Sequence, residues 1–161
     1  MIWQTTSTDS ADTERLGELL GTLVEPPLLI ELQADLGGGK TTFVRGLARG
    51  LGSKDRVASP TFTLNKIYKA KGLEIHHFDF YRLSEPGIIA DQLEESLQNS
   101  RVITVVEWGG IVSDVLPPQR LSIEFAPAKN SLDERLITIK YSEPKARVIK
   151  KLESLWEQLE P

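Results

Sequence analysis

The chain of 161 residues contains no cysteine at all. That single absence excludes disulfides, thiol nucleophiles and thiolate zinc sites together. A run of apolar residues approaching the length of a membrane span is also missing. The first residues, Met1-Ile2-Trp3-Gln4-Thr5, lack the basic and apolar regions of a signal peptide. These three absences lead us to expect a cytoplasmic location with no membrane association. Nor is there an excess of positive charge: the formal net charge is −4. A large independent nucleic-acid footprint needs a basic surface, so that class is disfavoured. The local exception is Lys145, Arg147, Lys150 and Lys151. We read it as the solvated face of an amphipathic helix. No internal repeat and no low-complexity segment interrupts the chain. What remains is ordinary for a soluble globular protein, with 40% hydrophobic and 26% charged residues. The length suits one domain over residues 1–161, with a sizeable core.

Periodicity divides the chain into alternating elements. Residues 3–7 read as a first strand. A helix is expected from about Ala11 to Leu23, capped by Asp9 or Ser10, with Leu16, Leu19, Leu20 and Leu23 as its apolar stripe. Pro26-Pro27 stops it. A strand covers 28–33, and a second helix runs from Lys40 to Leu51 with Phe43, Val44, Leu47 and Leu51 inward. After a loop over 53–60, strands at Phe62–Lys69 and Leu73–Leu83 form an antiparallel hairpin. A short helix with loops follows between Pro86 and Ser100. Val102-Ile103-Thr104-Val105-Val106 is the pattern of a strand buried on both faces. Further strands at 121–125 and 135–141 precede a final helix at about 145–159. Mixed strands and helices around a central apolar strand indicate an α/β sandwich.

The segment Ala34-Asp35-Leu36-Gly37-Gly38-Gly39-Lys40-Thr41-Thr42 carries the chemistry. A strand, a glycine-rich loop closing on Gly-Lys-Thr, and a helix form the layout of a phosphate-binding P-loop. Glycines let backbone N–H groups turn inward and approach phosphate oxygens closely. The helix starting near Lys40 aims the positive end of its dipole at the same anion. Lys40 is expected on the β- and γ-phosphates, and the Thr41 hydroxyl on Mg²⁺. The usual first position of the pattern is glycine, and here it is Ala34. Alanine serves there if its φ stays negative.

Hydrolysis of a triphosphate also needs a carboxylate near Mg²⁺, a group that orients water and a sensor of the γ-phosphate. Glu107 ends the buried strand, in the manner of a Walker B acid. Asp79 lies among aromatics in His76-His77-Phe78-Asp79-Phe80-Tyr81-Arg82. A carboxylate in such surroundings needs a cation or Mg²⁺ beside it. Its bland alternative is a salt bridge with Arg82 or a hydrogen bond with a neighbouring histidine. The two histidines point to opposite faces of a strand, and a structural role suits both. Thr61, in Ser59-Pro60-Thr61-Phe62-Thr63, is the candidate sensor, although Ser-Pro-Thr is also plain turn chemistry.

In order, Asp35–Thr42, Ser59–Leu64, His77–Leu83 and Val106–Trp108 resemble the motifs of the TsaE (YjeE) family, small bacterial P-loop ATPases. The resemblance spans residues 10–125. It implies a P-loop NTPase-like three-layer sandwich with a mostly parallel central sheet and antiparallel edge strands. It implies slow Mg²⁺-dependent ATP hydrolysis in the synthesis of tRNA N6-threonylcarbamoyladenosine. The implied partners are the TsaB and TsaD subunits of the threonylcarbamoyl transferase, which ATP turnover resets, with tRNA touched indirectly or by a local contact. Carried over by motif, Asp35 through Thr42 form the phosphate loop. Lys40 and Thr41 hold phosphate and Mg²⁺, Thr61 belongs to a switch loop, Asp79 and Glu107 are the essential acids on metal and water, and Trp108 sits beside the site. Ala34 departs from the family's usual glycine, and Gly38 stands where the family often has alanine. Ser84-Glu85-Pro86-Gly87-Ile88-Ile89 departs from a more acidic helix start.

Three other classes compete. A small-molecule kinase usually carries an arginine-rich lid; Arg82 and Arg101 are scattered. A GTPase needs a late Asn-Lys-x-Asp, and the Asn-Lys here, Asn65-Lys66, comes early and lacks the acid. A non-hydrolysing nucleotide-binding scaffold would leave Asp79 and Glu107 structural.

Overall fold

The computed structural model describes residues 1–129 and 131–159. Seven strands form one sheet: β1 (Ile2–Ser7), β2 (Leu28–Gln33), β3 (Asn65–Ala70), β4 (Leu73–Asp79), β5 (Val102–Glu107), β6 (Leu121–Ala128) and β7 (Ser131–Lys140). Their spatial order is β1-β7-β6-β2-β5-β4-β3. The inner strands β6, β2, β5 and β4 pair in parallel. Antiparallel pairs lie outside them, β7 on β6, β1 on β7, and β3 on β4. This is the expected mostly parallel sheet with antiparallel edges.

Four helices cover the sheet: α1 (Ser10–Leu23), α2 (Lys40–Gly50), α3 (Gly87–Gln98) and α4 (Ala146–Glu157). On one face Leu16 and Leu20 of α1, Phe43 and Leu47 of α2, and Ile149 and Trp156 of α4 pack onto Ile30, Ile103, Ile123 and Ile139. On the other, Ile89 and Leu93 of α3 pack with Leu29, Phe78, Val106, Val112 and Leu116. The result is a three-layer sandwich. Strand β5 is buried at every position, as its unbroken apolar run requires. The basic residues Arg147, Lys150 and Lys151 are exposed on α4, opposite buried Ile149 and Leu152.

The cap of α1 is Asp9, whose Oδ1 accepts from the Asp12 N–H at 2.9 Å. Helices α1 and α2 approach unusually closely, through glycines. A Cβ on Gly46 would lie 1.8 Å from the Glu14 carbonyl oxygen, and one on Gly17 would lie 2.2 Å from that of Phe43. Gly21 and Gly50 are closed in the same way. The helix that follows the glycine-rich loop is thereby pressed against α1, backbone to backbone.

Two boundaries differ from the sequence expectation. The strand expected from Phe62 begins at Asn65, because residues 60–64 form a turn in which Thr63 and Leu64 donate to the Pro60 carbonyl at 3.1 and 2.6 Å. Leu64 leaves it with φ 66°. The strand expected to reach Leu83 ends at Asp79. There the Asp79 carboxylate accepts from the Tyr81 N–H at 2.9 Å and folds the chain into a turn. The β6–β7 pair is also longer than expected, with β6 running on to Ala128 and β7 starting at Ser131, and α3 is a helix of 12 residues.

Candidate functional site

Strand β2 delivers the chain into the glycine-rich loop at the carboxyl end of the parallel sheet, the end at which open α/β sheets bind ligands. Gly37 and Gly39 adopt φ 76° and 103°, a region that carries a penalty for other residues. Ala34 is absent from the positive-φ residues, so alanine is tolerated at this first position. Gly39 caps α2 with no side-chain hydrogen bond to the first turn, and Phe43 N–H returns to its carbonyl at 2.9 Å. The N–H groups of that turn are left facing the loop.

Lys40 is only 6% exposed. Its Nζ donates to the carbonyl oxygens of Ala34 and Asp35 at 3.1 and 3.2 Å and lies 5.2 Å from the centre of the Trp108 ring. Among the described residues no carboxylate lies within ion-pair distance of it. A buried ammonium normally has an anionic partner. This one has loop carbonyls and an aromatic face, and an anion on the loop would complete it.

The two acids stand side by side. Asp79 and Glu107 are register partners on β4 and β5, and both are almost fully buried, at 2% and 3% exposure. Residues two apart on a strand share a face. His77 and Asp79 therefore lie on the α2 side, with Val105 and Glu107 across from them. Asp79 Oδ2 accepts the Thr61 hydroxyl at 2.6 Å, and that hydroxyl lies 2.7 Å from Ser59 Oγ. Glu107 Oε1 lies 2.7 Å from His77 Nε2. His77 Nδ1 lies 3.3 Å from the Tyr68 hydroxyl, which donates to the Ala58 carbonyl at 2.8 Å. Burial pushes the Tyr68 phenol above its ordinary value, and the Glu107 carboxylate adds a smaller rise. Neither bland alternative for Asp79 is realised: Arg82 lies over the Phe62 ring at 4.1 Å, and His77 turns to Glu107. His76 points the other way, to Glu74 at 2.8 Å.

A cleft of about 200 Å³ gathers these pieces. Leu36 through Thr42 form one wall, and Ser59, Thr61, Asp79, Glu107 and Trp108 form the other. Of the candidate residues read from sequence, Asp35 alone does not line it; its carbonyl instead holds Lys40 and the Gly38 N–H. Trp108 adopts φ 56° directly after Glu107 and packs on Tyr81 with ring centres 5.0 Å apart. Among the described residues no three His, Asp or Glu side chains form a metal cage. Mg²⁺ does not require one, since it keeps waters and takes one or two carboxylates plus substrate phosphates. Asp79, Glu107 and the Thr41 hydroxyl are hard oxygen donors that fit this habit.

The matches to known proteins cover nearly the same stretch. Residues 7–137 fit the family model described as threonylcarbamoyl adenosine biosynthesis protein TsaE. The chain belongs to the TsaE family. A TsaE from Bacillus subtilis is 35% identical over 84% of this chain and 82% of its own length. One from Treponema pallidum is 38% identical over 73% and 86%. Both are named as tRNA threonylcarbamoyladenosine biosynthesis proteins. The crystal structure of Bacillus subtilis YdiB superposes with a TM-score of 0.79 at 30% identity, covering 96% of this chain and 95% of that one. TsaE membership and the P-loop NTPase-like fold agree with a protein that handles nucleotides. Among the described residues no helix is long and apolar enough to cross a membrane.

Within this TsaE fold, three features of the site escaped the sequence reading. Tyr68 and the functional contact of His77 depend on cross-strand neighbours that spacing alone does not reveal. A second cleft of about 220 Å³ shares Gly37, Gly39 and Thr42 with the first and is lined on its far side by Asp9, Ser10, Thr13, Asp133 and Arg135. The register of Ser7 with Arg135 creates it, by joining segments more than a hundred residues apart.

Proposed function

We propose that this TsaE protein binds and slowly hydrolyses ATP with Mg²⁺, in the pathway that makes tRNA threonylcarbamoyladenosine. The buried Lys40 ammonium, without a carboxylate partner among the described residues and facing a glycine loop at a helix start, is the observation that carries the reading. The α- and β-phosphates suit the N–H groups of Gly37–Thr42, and the γ-phosphate suits the space between Lys40 and the two acids. Thr41 and Glu107 are the residues suited to Mg²⁺, with Asp79 close by. Bound Mg²⁺ would neutralise phosphate charge during transfer. The cleft over Asp9, Thr13 and Arg135 suits the nucleoside half, since it continues from the same loop. Asp79 and Thr61 would orient water and sense the γ-phosphate.

The partners we propose are TsaB and TsaD, with turnover resetting their transferase cycle and any tRNA contact indirect or local. Phe62, beside Thr61, is 80% exposed, and Leu36 on the cleft wall is 64% exposed. Apolar groups held outward on nucleotide-contacting loops suit a partner that reads the nucleotide state. The test is Lys40→Ala. We expect ATP turnover to fall at least about 100-fold, as when one stabiliser of transition-state charge is removed, with the melting temperature little changed. Wild-type turnover in that variant refutes the assignment.

A further inference from the structure

A buried chain of polar groups runs beneath the cleft: Ala58 carbonyl, Tyr68 hydroxyl, His77 imidazole, Glu107 carboxylate. His77 is fully buried, and Tyr68 is 3% exposed. A carboxylate only accepts, so Nε2 of a neutral His77 donates to Glu107 and Nδ1 becomes an acceptor. Its neighbour there is the Tyr68 hydroxyl, 3.3 Å away. That hydroxyl has one hydrogen, and the Ala58 carbonyl already takes it at 2.8 Å. The Ala58 N–H also donates to the Tyr68 oxygen, at 3.4 Å. Tyr68 thus stands between two acceptors, one on the loop that carries Ser59 and Thr61, the other on the ring that holds Glu107.

We propose that Tyr68 and His77 are positioning residues that fix Glu107 and tie its placement to the Ala58–Thr61 loop. With the loop in place, the Tyr68 hydrogen serves Ala58. When the loop moves off, the same hydrogen serves His77 Nδ1, and a ring that accepts at Nδ1 donates more strongly from Nε2. A loop displaced by a change at the γ-phosphate would in this way alter how firmly Glu107 is held. The catalytic half of the proposal rests on the ATPase reading above; the link between loop and acid does not.

The experiment is a double-mutant cycle of Tyr68→Phe and Glu107→Gln, with His77→Gln and His77→Leu beside it. The readouts are the Mg²⁺ concentration that half-saturates ATP turnover, and ADP affinity with Mg²⁺ or with EDTA. His77→Leu should raise the half-saturating Mg²⁺ about 10–100-fold, the usual effect of losing an outer partner of a metal ligand. His77→Gln keeps a donor in the direction of Glu107 and should recover most of that loss. Tyr68→Phe should shift it a few-fold in the wild type and not at all in the Glu107→Gln background. ADP affinity in EDTA should stay unchanged in Tyr68→Phe and in both His77 variants. Independent effects of Tyr68→Phe and Glu107→Gln, or equal losses of ADP affinity in EDTA, overturn the positioning role. If the wild type neither binds nor turns over nucleotide, the ATPase reading fails, and amide NMR of the free protein still decides the link. Glu107→Gln should then shift the Ala58 and Ser59 signals in the presence of Tyr68 and not in Tyr68→Phe; no shift overturns it.

Discussion

A methyl at position 38 would collide with the methyl already present at position 34. A Cβ built on Gly38 would lie 2.5 Å from Ala34 Cβ and 2.9 Å from the Asp35 carbonyl oxygen. Two methyl carbons need a separation closer to 4 Å. Gly38→Ala must therefore open the loop by about 1 Å, and overpacking of that kind costs about 1–3 kcal/mol. The loop is exposed over Asp35–Gly37 and can yield without unfolding the domain. The cost should then fall on binding: the N–H groups and the carbonyls under Lys40 would be pulled out of place. At about 1.4 kcal/mol per tenfold, ADP affinity should drop roughly 5–140-fold. Ala34→Gly on top of Gly38→Ala removes the methyl contact, the shorter of the two, and leaves the Asp35 carbonyl oxygen at 2.9 Å, a backbone atom that still has to shift. The double variant should regain part of the lost affinity. Isothermal titration calorimetry with ADP and Mg²⁺ on the wild type, both single variants and the double variant checks this. Wild-type affinity in Gly38→Ala, or a double variant no better than the single, refutes the reasoning.

Other perturbations follow from the same packing and hydrogen bonds. Gly46→Ala would put a Cβ 1.8 Å from the Glu14 carbonyl oxygen, a backbone atom that cannot rotate away. We expect a net loss of about 1–3 kcal/mol, or roughly 2–12 °C in melting temperature; an unchanged or higher value would contradict the close helix contact. The hydrogen bond from Arg49 holds Glu18 below its ordinary 4.5, so this pair's contribution is fully present above that value and is lost as the pH falls from there through the lowered folded-state value. Arg49→Leu should flatten the decline in melting temperature below about pH 4.5, and an identical profile would remove the pair from the stability of the fold. Thr61→Ala and Asp79→Ala break one hydrogen bond from its two ends. Their effects on ATP turnover should not multiply in the double variant, and independent losses would separate the two residues.

The sheet and the cleft were largely legible because their signals are local. An unbroken β-branched run is the pattern of a strand covered on both sides, and β5 is one. Gly-Lys-Thr after an apolar strand placed Lys40 at the start of α2. Two acids at strand ends, Asp79 and Glu107, proved to be register partners because β4 and β5 are adjacent. The errors came where local hydrogen bonds override propensity. Phe62 and Thr63 are good strand formers, yet the Pro60 carbonyl collects two N–H groups and turns the chain. Phe80 and Tyr81 look like strand continuation, yet the Asp79 carboxylate caps the turn that removes them from the sheet. Gly17 and Gly21, with Gly46 and Gly50, are spaced four apart on two helices. That spacing marks a small-residue stripe and does not name its partner; only the packing of α1 on α2 does.

The two acids are not interchangeable, and their hydrogen bonds say why. Both oxygens of Asp79 are committed, Oδ2 to the Thr61 hydroxyl and Oδ1 to the Tyr81 N–H. Glu107 uses Oε1 for His77, and among the described residues its Oε2 takes no hydrogen bond. A carboxylate with one oxygen anchored and the other open on a cleft suits a cation or its waters. A carboxylate with both oxygens filled suits the holding of a loop. The proposal therefore divides the labour with Glu107 toward Mg²⁺ and Asp79 toward Thr61 and the attacking water. The same division explains the burial of two adjacent carboxylates beside one lysine. Asp79 is offset by its hydrogen bonds and Glu107 by His77, which leaves the Lys40 ammonium on its loop carbonyls open to an anion.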